Sequence, residues 1–279
     1  MGRGHSGSTI LDVILGNSAA VESVGELVSG LGREVESEIC ACGTPMLDCP
    51  YWVEARRIFA DDTGQDWHEA ARTLVRHAHI RNLPRTLLAR SESVEMRRLA
   101  DTSIAFERAI ARATGKEHMV DSSKEPTRGL MLMRFCPEAR VIHLVRDPRR
   151  LMASNYWRYK EWDGYVRFLR RTYNMPRLLL FPFMLLEVVA WVVGNLIGEV
   201  ACRMAPERAL KIRYEDLCEA PAVELNRIAK AFNLQLDDVI SLIERGEPLV
   251  IGHNVGGNQI RTEGAVTFAP GQGQEHAIP

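Results

Sequence analysis

A chain of 279 residues, 46% hydrophobic and 25% charged, is long enough to bury one sizeable core, alone or with a helical insertion, and one domain is the expectation. Its 35 basic and 36 acidic side chains leave a formal net charge of -1. This excludes the broad positive field that attracts nucleic acid, so any anion site must be built locally.

The chain opens Met1-Gly2-Arg3-Gly4-His5-Ser6, which formally fits a lipid-attachment pattern but reads better as the start of a phosphate-binding turn. No basic start followed by an apolar run precedes it, so no secretory signal is read and a cytoplasmic location is expected. Thr9 to Leu15 is predicted helical, with Ile10, Leu11, Ile14 and Leu15 on one face. A loop containing Ser18, Gly25, Gly30 and Gly32 follows. Three of the six cysteines then cluster in Cys40-Ala41-Cys42-Gly43 and Cys49. They read as reduced thiols on a loop, weighed against a disulfide or part of a thiolate metal site. Structural zinc asks for four ligands and usually a C-x₂₋₄-C spacing, so no metal is expected. Cys136, Cys202 and Cys218 read as core filler.

Residues 52–115 turn to Arg, Glu, Ala and Leu at helical spacing, with Gly64 and Pro84 dividing them into two or three helices of an insertion or cap. Short apolar runs follow at His118 to Asp121, Ala139 to Val145 and Ala209 to Arg213. They are separated by helical stretches around 126–135 and 149–205, the pattern of parallel strands joined by crossover helices. The apolar stretch from Leu178 to Ile197 is interrupted by Pro182, Glu187 and Asn195. It reads as a buried or membrane-skimming helix pair rather than a span, because a mid-segment carboxylate is costly in a bilayer. Beyond Glu219 the chain is predicted helical to about Gly246, and the tail from Ile251 is Gly-rich and irregular. No internal repeat is evident.

Two constellations carry chemistry. In the first, Gly4-His5-Ser6-Gly7-Ser8-Thr9 runs straight into a helix, where backbone N–H groups and the hydroxyls of Ser6, Ser8 and Thr9 can hold an anion. A plain helix cap in a small-residue turn is the competing reading. The Gly-Lys-Ser/Thr ending of a magnesium-nucleotide loop is missing. In the second, Arg146 leaves the run Val141 to Val145, Pro148 can start a helix, and Ser154 and Arg158 fall four apart on one face of it. A guanidinium and a hydroxyl at a strand end can grip a separate phosphate, whereas a surface ion pair would explain the arginine but not the set.

Together these segments resemble the paired cofactor motifs of the sulfotransferase family: one grips a 5′-phosphosulfate and the other a 3′-phosphate, with eight residues from Arg146 to Ser154 as in the family. Weaker similarity extends over Val24-Gly25-Glu26-Leu27, the cysteine segment ending at Trp52, Asp121-Ser122-Ser123-Lys124, Arg213 to Leu217 and Gly256-Gly257-Asn258. The pattern looks most like bacterial-type members and, more distantly, the tyrosylprotein sulfotransferases. The resemblance implies an α/β, P-loop-like three-layer fold with a central parallel sheet and a helical insertion. It implies 3′-phosphoadenosine-5′-phosphosulfate (PAPS) as co-substrate without a metal, and a hydroxyl acceptor on a small molecule, glycan or lipid.

Residue by residue, Glu26 inherits the role of catalytic base, 21 positions after His5, and Lys124 that of the lysine stabilising the departing phosphate. The cofactor set is His5, Ser6, Gly7, Ser8, Thr9, Arg146, Ser154, Arg158, Tyr214 against the adenine, Asn258, and Arg261 over the 3′-phosphate. His5 stands where many members carry Arg or Lys. No apolar run precedes Gly4, so for the first strand that the family places ahead of the loop two readings stay open: a start assigned too late, or loss of the strand. The alternatives are a nucleotide-dependent phosphotransferase, with Met119-Val120-Asp121 imitating a magnesium-binding strand end, and a noncatalytic nucleotide-binding protein or one contacting a membrane peripherally through 178–197.

Overall fold

The computed structural model describes residues 6–32, 37–151 and 180–269. The expected roles of His5, Ser154 and Arg158 fall outside them. In chain order the elements are α1 (Ser8–Gly16), β1 (Val21–Ser23), α2 (Leu27–Gly32), α3 (Pro50–Thr63), α4 (Trp67–Ala78), α5 (Leu83–Leu88), α6 (Val94–Thr114), β2 (His118–Val120), α7 (Pro126–Phe135) and β3 (Val141–Val145). They continue with α8 (Leu180–Met204), β4 (Ala209–Arg213), α9 (Tyr214–Glu219), α10 (Pro221–Phe232), α11 (Asp237–Glu244), β5 (Leu249–Val250) and β6 (Ala265–Val266).

The 50–114 region contains four α-helices where two or three were predicted. Gly64 ends α3 in the left-handed conformation, as read, and Asp66 caps α4 by accepting from the Glu69 N–H at 2.8 Å. The additional break lies at residues 89–93, where Ser93 caps α6. These helices bury an aromatic cluster: Phe59 stacks on Phe106 at 4.4 Å and Trp67 meets both edge-on. Removing either phenylalanine ring from such a site would cost about 3–5 kcal/mol.

The three strands read from the sequence are present, and β1 is an addition. It is short and polar, with Glu22 and Ser23 buried, so hydrophobic periodicity does not signal it. Its polar groups are satisfied by tertiary partners: Lys116 pairs with Glu22 at 3.3 Å, and the Ser23 hydroxyl donates to buried Asp12 at 2.5 Å. Asn254, from the far end of the chain, donates to Asp12 (2.9 Å) and so joins α1, β1 and the tail in one buried polar knot. Burial holds the Asp12 carboxyl well above the usual carboxylate range.

The sheet departs from expectation. Among the described residues, β1 pairs with β2 in parallel (Val21 opposite His118), and β3 pairs with β4 in parallel (Val141 opposite Ala209). No ladder joins β2 to β3 among them, so one central parallel sheet gives way to two parallel pairs, with β5 and β6 as an antiparallel pair. The tail extends the first pair, because Gly25 bridges Val255 in parallel on the free edge of β1.

Residues 180–204 form one helix rather than a pair. Pro182 sits in its first described turn. Gly198 lets α8 approach β3: a Cβ there would lie 2.5 Å from the His143 ring. Asn195 completes the contact, its Oδ1 lying 3.1 Å from His143 Nε2. The opposite side of α8 exposes Leu185, Val189, Val192, Leu196 and Val200. No described helix is long and apolar enough to cross a membrane.

Arg128, on α7, is 6% exposed and ties three elements together. Its guanidinium donates to Asp121 after β2 (2.6 Å) and to Ser103 and Glu107 of α6 (2.9 and 2.7 Å). Truncation would strand the buried Asp121 carboxylate and leave half-buried Glu107 without its guanidinium. Arg128→Ala is expected to lose about 3–5 kcal/mol of unfolding free energy in chemical denaturation. Truncating exposed Arg57, which pairs with Glu54 and Asp61, should leave the midpoint essentially unmoved. Burial raises the Glu107 carboxyl from 4.5 to about 7. The folded state therefore holds a proton that the unfolded chain releases, and stability should fall as pH rises from about 4.5 to about 7. Glu107→Gln should remove that component of the slope, read from denaturation midpoints across the same range.

Candidate functional site

The N-terminus of α1 is built as the sequence suggests. Gly7 caps it in the left-handed region (φ 90°), and the Leu11 N–H closes the first turn onto the Gly7 carbonyl at 3.1 Å. The N–H groups ahead of Leu11 have no helical carbonyl to reach. The hydroxyls of Ser6 and Ser8 are buried and have no hydrogen-bond partner among the described residues. Orphaned donors around a helix start suit an anionic oxygen, which would satisfy them together.

Tyr214, the first residue of α9, lies on this loop. A Cβ on Gly7 would stand 2.1 Å from the Tyr214 ring, so only glycine fits beneath it. Arg146 places its guanidinium carbon 4.7 Å from the ring centre on the same tyrosine. Burial is the first cause that pushes the Tyr214 phenol up to about 12, keeping the ring neutral. The two sequence constellations, 139 residues apart from Gly7 to Arg146, thus meet through one aromatic ring.

The second half of the site joins Glu26 and Lys124, 98 residues apart, in an ion pair. The Ser29 hydroxyl donates to the other Glu26 oxygen at 3.1 Å, and the two side chains are only 12% and 19% exposed. Their meeting is imposed by the turns that carry them. Asp121 accepts from the N–H groups of Leu27 (3.2 Å) and Ser123 (2.7 Å), and the Ser123 hydroxyl accepts from the Val28 N–H (3.0 Å). The Ser122 N–H donates to the Gly25 carbonyl at 2.8 Å. The turn after β2 therefore caps α2, and the acid and the lysine are fixed on either side of that cap.

The tail closes the third side. Gly257 lies against Glu26, where a Cβ would come within 3.0 Å of the carboxylate oxygen, and at φ 76° its backbone also favours glycine. Arg261 pairs with Glu38 at 2.8 Å and donates to the Asn254 carbonyl at 3.4 Å. Asn258 accepts from the Ile260 N–H at 3.2 Å, capping the turn that carries Arg261.

All these groups line one open cleft of about 980 Å³, which contains Gly7, Ser8, Thr9, Glu26, Lys124, Arg146, Tyr214, Asn258 and Arg261. Of the described candidates only Ser6 is not part of its lining; it is buried beneath the loop at 2% exposure. Two acids that the sequence reading did not single out also face the cleft. Glu125 is raised by burial and by the charge of Asp121, and its only sequence signal is adjacency to Lys124. Glu38 accepts from the Gly256 N–H at 2.8 Å, a contact with no sequence signal because 218 residues separate the partners. Chemically, the cleft offers a carboxylate for a proton, an ammonium and a guanidinium for developing or standing negative charge, and unpaired loop donors for an anion.

A family model described as the sulfotransferase family matches residues 1–238. Among solved structures, the sulfotransferase domain from the curacin biosynthetic pathway is similar at 17% identity, covering 98% of this chain and 84% of that one with a TM-score of 0.50. The sulfotransferase domain of the Synechococcus PCC 7002 olefin synthase is similar at 20% identity, over 86% and 73% of the two chains, with a TM-score of 0.45. No curated protein matches significantly.

Proposed function

The chain belongs to the sulfotransferase family, and we propose that it transfers a sulfuryl group from PAPS to a hydroxyl of a small-molecule, glycan or lipid acceptor. The observation that carries this reading is the pairing of Glu26 with Lys124 in the same cleft as the α1 loop and Arg146. In the proposed reaction the acceptor oxygen forms a bond to sulfur, its proton passes to Glu26, and the bond from sulfur to the phosphate oxygen breaks. The electron pair stays on the phosphate, whose new charge Lys124 stabilises. The existing ion pair sets the proposed proton acceptor beside an ammonium that is already in position.

The loop residues His5, Ser6, Gly7, Ser8 and Thr9 are assigned to the 5′-phosphosulfate, and Arg146, with Ser154 and Arg158, to the 3′-phosphate. Tyr214 lies between the two groups of ligands, a position from which a ring can also face adenine. The pairing of Arg261 with Glu38 supports a role in holding the tail, with its approach to phosphate requiring release from that acid. The outward apolar row on α8 supports an apolar acceptor or peripheral membrane contact through 178–197. A magnesium-dependent phosphotransferase is disfavoured by Gly7-Ser8-Thr9, which lacks the loop lysine such enzymes place on the β/γ-phosphates.

Calorimetric titration with adenosine 3′,5′-bisphosphate, run beside ATP with magnesium, tests the donor class: the bisphosphate should bind and ATP should not compete well, and the reverse preference would overturn the assignment. Glu26→Gln should lower turnover by about 10²–10⁴-fold while leaving bisphosphate affinity within a few-fold. Unchanged turnover would exclude Glu26 as the base. Arg146→Ala should weaken the bisphosphate far more than its 3′-dephosphorylated analogue, and equal losses for both would remove Arg146 from the 3′-phosphate.

A further inference from the structure

We propose that Cys40, Cys42, Cys49 and His253 form a closed structural zinc site. Their ligand atoms all lie within 4.8 Å of one another. The individual separations are 3.7 Å from Cys42 Sγ to Cys49 Sγ and 3.9 Å from Cys49 Sγ to Cys40 Sγ. His253 Nδ1 lies 3.5 Å from Cys40 Sγ and 3.3 Å from Cys49 Sγ. A tetrahedral ion with bonds of about 2.3 Å to sulfur and about 2.05 Å to nitrogen sets its ligands about 3.8 Å apart for sulfur pairs and about 3.6 Å apart for sulfur and nitrogen. Four of the six ligand pairs have the spacings expected around one central ion, and the other two lie within 4.8 Å.

Other readings of the cluster fit less well. Disulfide bonding needs sulfurs about 2.05 Å apart, and all three thiols are free. Ligand atoms this close enclose a single ion and leave no space for an iron–sulfur cluster. Three soft thiolates with one imidazole select zinc among common divalent ions, and four protein ligands leave no open position for substrate or water. The site is therefore structural.

The fold holds each ligand in place without the ion's help. Cys40 and Cys42 sit on a tight turn in which the Gly43 N–H donates to the Cys40 carbonyl at 2.8 Å and the Cys40 N–H to the Thr44 carbonyl at 2.9 Å. Gly43 adopts φ 87°, the backbone state that lets the chain reverse between the second and third thiols. Cys49 is the N-cap residue of α3. The His253 ring stacks on Tyr51 at 4.6 Å, and its carbonyl accepts from the Trp52 indole at 3.1 Å. These contacts hold the imidazole beside the thiols.

The position explains what the ion would do. It fastens the turn at residues 39–49 to the tail, immediately before Val255, Gly256 and Gly257, which pack on Gly25 and Glu26. It adds to the hydrogen bonds that already join turn and tail, from the Ala41 N–H to the Asn254 carbonyl at 2.9 Å and from Arg261 to the Ile39 carbonyl. The ion thus stiffens the tail-side wall of the cleft without touching the reacting atoms.

The test is metal content and metal spectroscopy on the full chain, neither of which depends on the transfer reaction. Protein purified with zinc present should carry about one equivalent by elemental mass spectrometry. Cobalt added to metal-free protein should give the intense visible bands of a tetrahedral ion with thiolate charge transfer in the near ultraviolet. Cys42→Ser, at the exposed ligand, should lose its metal to a chelator at concentrations that leave the parent chain loaded, while Cys202→Ser, on α8, should keep it. Chelation should lower the thermal midpoint, and added zinc should restore it. Substoichiometric zinc together with a pale octahedral cobalt spectrum would overturn the proposal. So would peptide mapping that finds a disulfide among residues 40, 42 and 49. If bisphosphate binding failed while zinc was present at one equivalent, the functional assignment would fall and the metal site would stand.

Discussion

The hydrogen bonds between the turn at residues 121–124 and the start of α2 decide where the chemistry of this protein can occur. Asp121 and Ser123 accept from the N–H groups that open α2, and Ser122 donates to Gly25. Each bond alone is worth about 0.5–1.5 kcal/mol. Together they cross-link two strand ends whose side chains would otherwise be free to separate. Glu26 and Lys124 meet because their backbones are bolted together, and Arg128 holds Asp121 from behind. The proposed catalytic pair, supported in this way, keeps its geometry without relying on flexible side chains to find each other.

The proposed anion-binding half rests on a different device. Glycine at position 7 leaves room for the Tyr214 ring, which in turn supports Arg146. The ring is neutral, so it supports the guanidinium without compensating its charge. Glu215, which would compete for positive charge, instead accepts from the Asp147 N–H at 2.9 Å, and Asp147 engages Arg149.

The tail has more structural weight than its composition suggests. Residues 253–261 supply a ligand to the proposed metal site, a member of the buried Asp12, Ser23 and Asn254 knot, an extension of the β1 ladder and two glycines against Glu26. Gly-rich irregular segments are commonly surface connections. Here the glycines permit close approach to the site, and the residues between them carry the hydrogen bonds.

Much of this was legible in the sequence. The α1 loop, the strands at 118–120, 141–145 and 209–213, and helix α7 follow from glycine placement and apolar runs, because these are set by local sterics and periodicity. Arg146 could be singled out because it leaves an apolar run, whereas Glu26 and Lys124 are unremarkable in their local sequence and were legible only through the family resemblance. Strand β1 was hidden because its stability comes from Asp12, Lys116 and Asn254, and polar residues in a strand show no pattern until their partners are known. The cysteine cluster shows the division most clearly. Three ligands within ten residues read as thiols on a loop because the local sequence is one ligand short. Only the tertiary structure brings His253 across 204 residues to Cys49, and a coordination site, unlike a helix, is defined by distances between side chains that sequence spacing does not contain.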